Sequence, residues 1–416
     1  MIEGKIIKFY REKAKLTQGQ LVSGICSITH LSKIERGLTE CSPHTIALIA
    51  NRLGIKIEKE MDKLNEIKKL LDRWLEVMVK EGFQEIEVIK KELENSSLIE
   101  ISIYKNLYRL QTVRYELTHN NYKKAHELIK DLQKFEVHLS TYEKNLFTHV
   151  KGMYFLSKGN YLKAINILKT ITHNEYNNSE FYYHLAVAYH NINSQIMCYY
   201  YADKALHYFK NSNNFLKIID TEMLLLVQLQ FDKHHDFDNT VKQYESLIES
   251  CEILHAIRRK SKLLHNLAFQ YLIRKKYQKA SELYKKSCDL KNKNSIEYLL
   301  SFEGYIRSLF EGEILSREQL LALTNEGIKK AKEMNNELFI ILFDLLLYSI
   351  KGQEDQYFSY LATKGLPYFR KCGYIYLVQR SEKELFYFYT NNGETEKALE
   401  IATHFFMDKK EDKLGV

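Results

Sequence analysis

The sequence predicts an all-α protein, and three observations support this fold class. The 416 residues contain only 2 prolines and 16 glycines, so the residues that form the turns between strands are scarce. Windows rich in Leu, Ile, Lys, Glu and Ala favour helices almost without interruption. The first 55 residues divide into four short helical segments, and from about residue 98 one two-helix pattern recurs.

The segment 17–37, TQGQLVSGICSITHLSKIERG, predicts two short helices around a tight turn. The helices cover residues 18–24 and 28–36, and their apolar residues fall on one side, where they form a small core. Thr17 with Gln20 has the pattern of a capping box, and Ser27 caps the second helix. A short polar helix on a rigid partner fits the major groove of DNA. We therefore interpret the segment as a helix-turn-helix.

Two more predicted helices complete this N-terminal domain, one over residues 2–15 and one that begins at Ser42-Pro43. Residues 1–60 carry 10 Lys/Arg and 6 Asp/Glu, whereas the other 356 residues carry 51 and 47. The average positive charge density is therefore higher in the first 60 residues, as phosphate binding requires.

The predicted DNA contacts lie on the two helices of the motif. Ser27 fits a purely capping role equally well, and Glu35 is an unsuitable contact because it is acidic. In this fold class Glu35 resembles the partner of an arginine on the first helix, here Arg11. The predicted DNA-binding residues are Thr17, Gln18, Ser27, Thr29, His30, Lys33 and Arg36.

Residues 60–95 predict two further helices, which break at Gly82. Trp74 lies on an apolar stripe of the first of these helices and is expected to be a core residue.

Beyond residue 98 a small residue at the start of an amphipathic helix marks a repeat. The marker positions are 125, 164, 205, 240, 280, 327, 365 and 398, and a helix precedes each of them. Their separations of 39, 41, 35, 40, 47, 38 and 33 residues predict tetratricopeptide-like repeats stacked into a right-handed superhelix. The predicted domains are a helix-turn-helix domain at 1–59, linker helices at 60–97 and a repeat domain at 98–416.

This combination resembles the Rap–Rgg–NprR–PlcR–PrgX family of peptide-sensing regulators from Gram-positive bacteria. Residues 16–37 and the repeats carry the resemblance, which covers nearly the whole chain. The short turn at 25–27 resembles the PlcR branch, and the roughly nine helix pairs resemble NprR. The resemblance implies a dimeric, cytoplasmic quorum-sensing transcription regulator. It would bind double-stranded operator DNA and be switched by a short signalling peptide in the concave groove of its repeats.

A groove that holds a peptide backbone needs side chains that both donate and accept hydrogen bonds, as Asn and Gln do. An arginine there could bind the C-terminal carboxylate of the peptide. Ordinary polar residues at the edges of the repeats would look the same in the sequence. The predicted peptide contacts, on first helices of the pairs, are His184, Gln228, Asn266, Gln270 and Arg307, with Arg307 for the carboxylate.

The sequence predicts no enzyme, cofactor or metal site. The 6 cysteines lack the spacing of zinc ligands, and no Gly-rich phosphate loop is present. The most apolar stretch, 338–350, is too short to span a membrane and contains an aspartate. Two alternatives stay open. The first is a Rap-like protein that binds or dephosphorylates a response regulator, with Gln84 as the candidate residue for promoting hydrolysis of the aspartyl phosphate. The second is a phage lysis–lysogeny regulator.

Overall fold

The computed structural model describes residues 2–96, 98–99, 103–172, 175–229 and 236–411, the last eight of these by their backbone alone. All the regular secondary structure in these ranges is helical, which confirms the all-α prediction. The chain forms two compact units. Unit 1 comprises Met1–Asn191 and Tyr200–Lys217, and unit 2 comprises Ile192–Tyr199 and Ile218–Val416.

Four helices form the N-terminal domain, as predicted. The capping box at Thr17 is present, Ser27 accepts the backbone N–H of His30, and Ser42 caps the fourth helix with Pro43 in its first turn. Gly37, just after the third helix, has a φ of +74°, a conformation that glycine adopts without strain. The helices are α1 (Ile2–Lys13), α2 (Gln18–Val22), α3 (Ile28–Glu35) and α4 (Pro43–Leu53).

The core of this domain joins all four helices. Its fully enclosed members include Ile7 of α1, Leu21 of α2, Leu31 and Ile34 of α3, and Ile49 of α4, all 0% exposed. α1 crosses α3 so closely that a Cβ added to Gly4 would lie 2.0 Å from the carbonyl oxygen of Ile34. Only glycine fits at that crossing, so the backbone of α3 is held directly against α1.

Two longer helices follow, and they break at Gly82 as predicted. They are α5 (Ile57–Lys80) and α6 (Phe83–Asn95). Trp74 is 0% exposed, and its ring stacks on Tyr108 of α7 (Lys105–Thr118) with a centroid separation of 5.9 Å. The prediction of a core tryptophan is therefore confirmed. α5 begins at Ile57, three residues before the predicted domain boundary at 59/60.

The remaining described helices form eight consecutive pairs, and α5 with α6 makes a ninth pair. In this count Glu354–Tyr360 and Leu366–Cys372 are one helix, because residues 361–365 continue the helix between them. Every marker position is buried, with Ala398 the most exposed among those quantified at 6%. Small side chains at these positions let the two helices of a pair approach closely, so the repeat prediction is confirmed. After α7, the helices are α8 (Tyr122–Gln133), α9 (Thr141–Ser157), α10 (Tyr161–Leu168), α11 (Phe181–Asn191), α12 (Gln195–Asn211), α13 (Phe215–Gln228), α14 (Phe237–Ile253), α15 (Ile257–Ile273), α16 (Tyr277–Asp289), α17 (Ile296–Glu311), α18 (Arg317–Glu333), α19 (Glu337–Lys351), α20 (Glu354–Tyr360), α21 (Leu366–Cys372), α22 (Ile375–Asn391) and α23 (Thr395–Glu411).

The helix over residues 337–351, which contains the most apolar stretch, is packed into the repeats through Phe339, Phe343 and Leu346. Within the described residues, no helix has both the length and the apolar character that a membrane crossing requires.

Candidate nucleic-acid interface and polar clusters of the repeats

A buried ion pair fixes the position of α3. The guanidinium of Arg11 donates to both carboxylate oxygens of Glu35, at 2.6 and 3.1 Å, and the predicted pairing is confirmed. The same carboxylate accepts the side-chain amide of Gln18 at 2.8 Å, so α1, α2 and α3 meet at one group. The bond to Glu35 raises the pKa of Arg11. Gln18, predicted to contact DNA, therefore has its amide nitrogen engaged inside the domain.

The outer face of α3 carries the other predicted contacts. Thr29, Lys33 and Arg36 are exposed, and His30 is half-buried. Within the described ranges neither Lys33 nor Arg36 forms an ion pair, although Arg36 Nε donates to the carbonyl of Ser32 at 3.1 Å. Both cations are therefore available to phosphate oxygens, which carry most protein–DNA hydrogen bonds.

The two predicted hydroxyl contacts at the helix starts are exposed and also act as caps. Thr17 Oγ1 accepts the N–H of Gln20 at 3.2 Å, and Ser27 Oγ accepts the N–H of His30 at 3.2 Å. Each hydroxyl keeps its own proton for a further acceptor, such as a phosphate oxygen.

Sequence reasoning missed the role of Arg52. Its Nη1 atom on α4 donates to the carbonyls of Leu21 and Ser23, at 2.9 and 2.6 Å. A cation at the C-terminal end of α2 satisfies carbonyls that the helix leaves free and suits the helix dipole. The start of the turn between α2 and α3 is thus bound to α4 through Arg52.

A second segment of high positive charge lies in the repeats. Residues 257–293, which include α15 and α16, carry 12 Lys/Arg and only 2 Asp/Glu. Positive charge is therefore not a property of the N-terminal domain alone. The proposed nucleic-acid interface depends on the geometry of α2 and α3 and not on net charge.

The repeats of unit 1 enclose a second ion pair. Arg114 of α7 and Glu180 approach to 2.7 Å, and their side chains are 2% and 1% exposed. Burial, the largest single effect, would raise the pKa of Glu180, but the charge and the hydrogen bond of Arg114 act with other neighbouring groups to lower it. Because these residues are 66 positions apart in the chain, the pair joins separate repeats.

Two histidines adjoin this pair. His149 Nε2 lies 2.8 Å from His184 Nδ1, and His149 Nδ1 lies 2.9 Å from the hydroxyl of Tyr176. Burial lowers the pKa of His184 to about 4 and the pKa of His149 well below its usual value. Both rings are therefore neutral near pH 7. His184, predicted to contact peptide, has its Nδ1 engaged in this cluster.

His149, Glu180 and His184 offer donor atoms within 4.8 Å of one another, close enough to consider a metal. The chemistry of the cluster argues against this interpretation. Glu180 already balances the charge of Arg114, so a divalent cation would bring uncompensated buried charge. The close approach of the two imidazoles is explained by one shared proton, and we assign the cluster a structural role.

The other four predicted peptide contacts belong to unit 2, so the structure does not place His184 in the same compact unit with them. Asn266 of α15 is half-buried, whereas Gln270 is 1% exposed and its Oε1 accepts from Arg274 at 2.7 Å. Arg307 of α17 is 15% exposed and pairs with Glu303. Gln228 donates its amide to the carbonyl of Leu224 at 3.0 Å.

Unit 2 also brings α15, α20 and α22 together, which the sequence did not predict. The rings of Phe269 and Tyr376 meet edge to face, with centroids 6.2 Å apart. Glu384 accepts from Arg380 at 2.8 Å and from the hydroxyl of Tyr357 at 2.7 Å. The contacts of Tyr376 with Phe269 and of Glu384 with Tyr357 join residues far apart in the chain, and no local sequence pattern reports them.

Comparisons with known proteins support this architecture. Residues 7–59 match a helix-turn-helix family. The transcriptional activator NprA of Geobacillus stearothermophilus is 21% identical over an alignment of 374 residues, and the match covers 84% of this chain and 89% of NprA. The apo form of the quorum sensor NprR from B. thuringiensis superposes with a TM-score of 0.66 at 21% identity, over 82% of this chain and 97% of that one. The predicted resemblance to the Rap–Rgg–NprR–PlcR–PrgX family is confirmed.

NprR has also been solved in complex with its cognate peptide NprX. That structure has a TM-score of 0.66 and 20% identity, and the match covers 82% of this chain and 99% of that one. The fold of this chain is therefore that of NprR, with tetratricopeptide-like repeats after a helix-turn-helix.

Proposed function

We propose that the chain is a peptide-sensing transcription regulator that binds operator DNA through α2 and α3. The observation that carries the proposal is the outer face of α3, where Lys33 and Arg36 are exposed and unpaired within the described residues while Arg11 and Glu35 fix the helix from behind. The helix-turn-helix match and the likeness to the activator NprA support this role. Such a protein is a regulator and not an enzyme.

The second half of the proposal is that a short signalling peptide binds in the repeats. The likeness to NprR, solved with its cognate peptide, supports this. Asn266 is the best placed of the predicted contacts in unit 2, because it is half-buried and its amide can both donate and accept. Arg307 would bind a peptide carboxylate only in competition with Glu303.

We further propose that the protein acts as a homodimer in the cytoplasm, with DNA binding in residues 1–59, linker helices at 60–97 and peptide binding and dimerisation in 98–416. Two recognition helices must lie about 34 Å apart to read a palindrome, one turn of DNA. A peptide that changes this spacing would be coupled to DNA binding, and ordinary allosteric coupling is worth about 1–3 kcal/mol.

Fluorescence anisotropy of the purified protein on duplex DNA flanking its own gene tests the proposal. Peptides taken from the C-terminus of small adjacent reading frames would be added at several salt concentrations. We expect saturable, salt-sensitive binding that one peptide shifts. Specific binding without any peptide effect would contradict the peptide half of the proposal. If no specific DNA binding is observed, the proposal of a transcription regulator is contradicted, and a response regulator becomes the favoured partner.

A further inference from the structure

Ile28 is an exposed aliphatic residue at the first position of α3. Its side chain is 55% exposed, whereas the other aliphatic residues of this helix, Leu31 and Ile34, are 0% exposed. β-branched residues are not favoured in helices, and an isoleucine that faces solvent adds little to the core. The core of the domain therefore does not account for isoleucine at this position.

The neighbours of Ile28 hold it at the surface. A Cβ added to Gly19 would lie 3.4 Å from Ile28 Cδ1, so the side chain leans on the start of α2. Ser27, which precedes it, is engaged as the cap of α3, and Thr29, which follows it, is exposed. An apolar spot thus lies between the hydroxyls of Ser27 and Thr29, at the end of the helix that enters the major groove in a helix-turn-helix.

The apolar group that base pairs present in the major groove is the 5-methyl group of thymine. Thymine presents this methyl group beside its O4 acceptor, whereas guanine, adenine and cytosine offer only hydrogen-bonding atoms, which an aliphatic side chain would bury without a partner. We propose that Ile28 is a specificity-determining residue that reads a thymine in each half-site by packing on its methyl group. This inference rests on the proposed function, because it requires α3 to enter the groove of an operator.

The experiment first selects duplexes from a randomised DNA pool with the full-length wild-type protein. Each thymine of the selected sequence is then replaced by deoxyuridine, which removes one methyl group and leaves base pairing unchanged. We expect one position in each half-site to weaken binding about fourfold, from the free energy of burying one methyl group. Deoxyuridine at the other positions should leave affinity unchanged.

The variant Ile28→Ala should bind the thymine and deoxyuridine duplexes equally, and circular dichroism would show that it is folded. Leu48→Ala is the matched control, because Leu48 is an aliphatic residue of α4 with 40% exposure. This control should keep the fourfold preference for thymine.

The outcomes separate the two proposals. If the wild-type protein selects no sequence, the proposed DNA-binding function fails. If it selects a sequence but no deoxyuridine replacement matters, or if Ile28→Ala keeps the preference for thymine, then the role of Ile28 is overturned and the regulator stands.

Discussion

Arg11 in the last turn of α1 pairs with Glu35 in the last turn of α3, with 2.6 Å between the guanidinium and the carboxylate. Glu35 is only 3% exposed, and its carboxylate accepts hydrogen bonds from Arg11 and from Gln18. The recognition helix is therefore positioned by a charge behind it, while its cations face outward.

Replacing Glu35 by Gln should loosen α3. The change leaves the guanidinium of Arg11 with only the exposed carboxylate of Glu12, at 3.4 Å, and breaking a largely buried pair in this way costs about 3 kcal/mol. Hydrogen–deuterium exchange of the full-length protein would measure this as faster exchange of the amides in residues 28–36. Glu40→Gln, an exposed acid of the same domain, is the control and should leave exchange unchanged. Equal exchange in both variants would show that the pair does not hold the helix.

Replacing Lys33 by Ala should weaken binding to all DNA sequences alike. A lysine that contacts phosphate releases about one counterion on binding, so the slope of log affinity against log salt should fall by about 1. Anisotropy titrations at several salt concentrations measure this slope. Lys59→Ala removes an exposed lysine from the start of α5 and should leave the slope unchanged. A change in sequence preference, with the slope intact, would instead make Lys33 a base contact.

Replacing Asn266 by Ala should weaken peptide binding and leave DNA binding unchanged. The loss of one amide hydrogen bond costs about 1 kcal/mol, which corresponds to about fivefold in affinity. Calorimetry with a peptide identified by the anisotropy assay would measure it. Asn325→Ala, on an exposed position of α18, is the control. If Asn266→Ala and Lys33→Ala impair both activities equally, the proposed division of labour is wrong.

Acid should destabilise the protein before its carboxylates titrate. Burial lowers the pKa of His184 to about 4 and that of His265 to about 3, whereas an unfolded histidine titrates near 6.5. The unfolded chain therefore binds more protons as the pH falls from about 6.5 to 4, and stability is lost over that window. His184 should account for on the order of 3 kcal/mol of this loss, because each pKa unit between 6.5 and about 4 is worth about 1.4 kcal/mol.

Thermal melts between pH 7.5 and 4 would show this loss as a falling Tm. His184→Gln should flatten part of the decline, whereas His207→Gln, with a side chain that is 79% exposed, should not. A Tm that stays constant to pH 5 would contradict neutral, buried histidines.

Local patterns made much of the fold predictable. The caps at Thr17 and Ser27 need only neighbouring residues, and the small markers such as Ala125 and Ala280 recur at regular separations, so both could be found in the sequence. The pair of Arg114 with Glu180 could not, because a buried charge and an exposed charge look alike in a helical pattern. Only the stacking of repeats determines which residues meet across 66 positions.

In the candidate site, too, local features could be predicted and contacts between distant residues could not. The outer face of α3 could be predicted from helical periodicity, but the anchor at Arg52 joins residues about 30 positions apart. The candidate peptide contacts stay predictions, and the different burial of Gln270 and Asn266 depends on side-chain packing that periodicity does not report.

The contact between Phe269 and Tyr376 should make the unfolding of unit 2 more cooperative. In a linear array each repeat touches only its neighbours, so the outermost pair can fray alone. Here the ring of Tyr376 on α22 reaches back past two intervening pairs to α15. Fraying of α22 must first break that edge-to-face contact, which is worth about 1 kcal/mol. The four pairs from α15 to α23 are thereby tied into one cooperative segment.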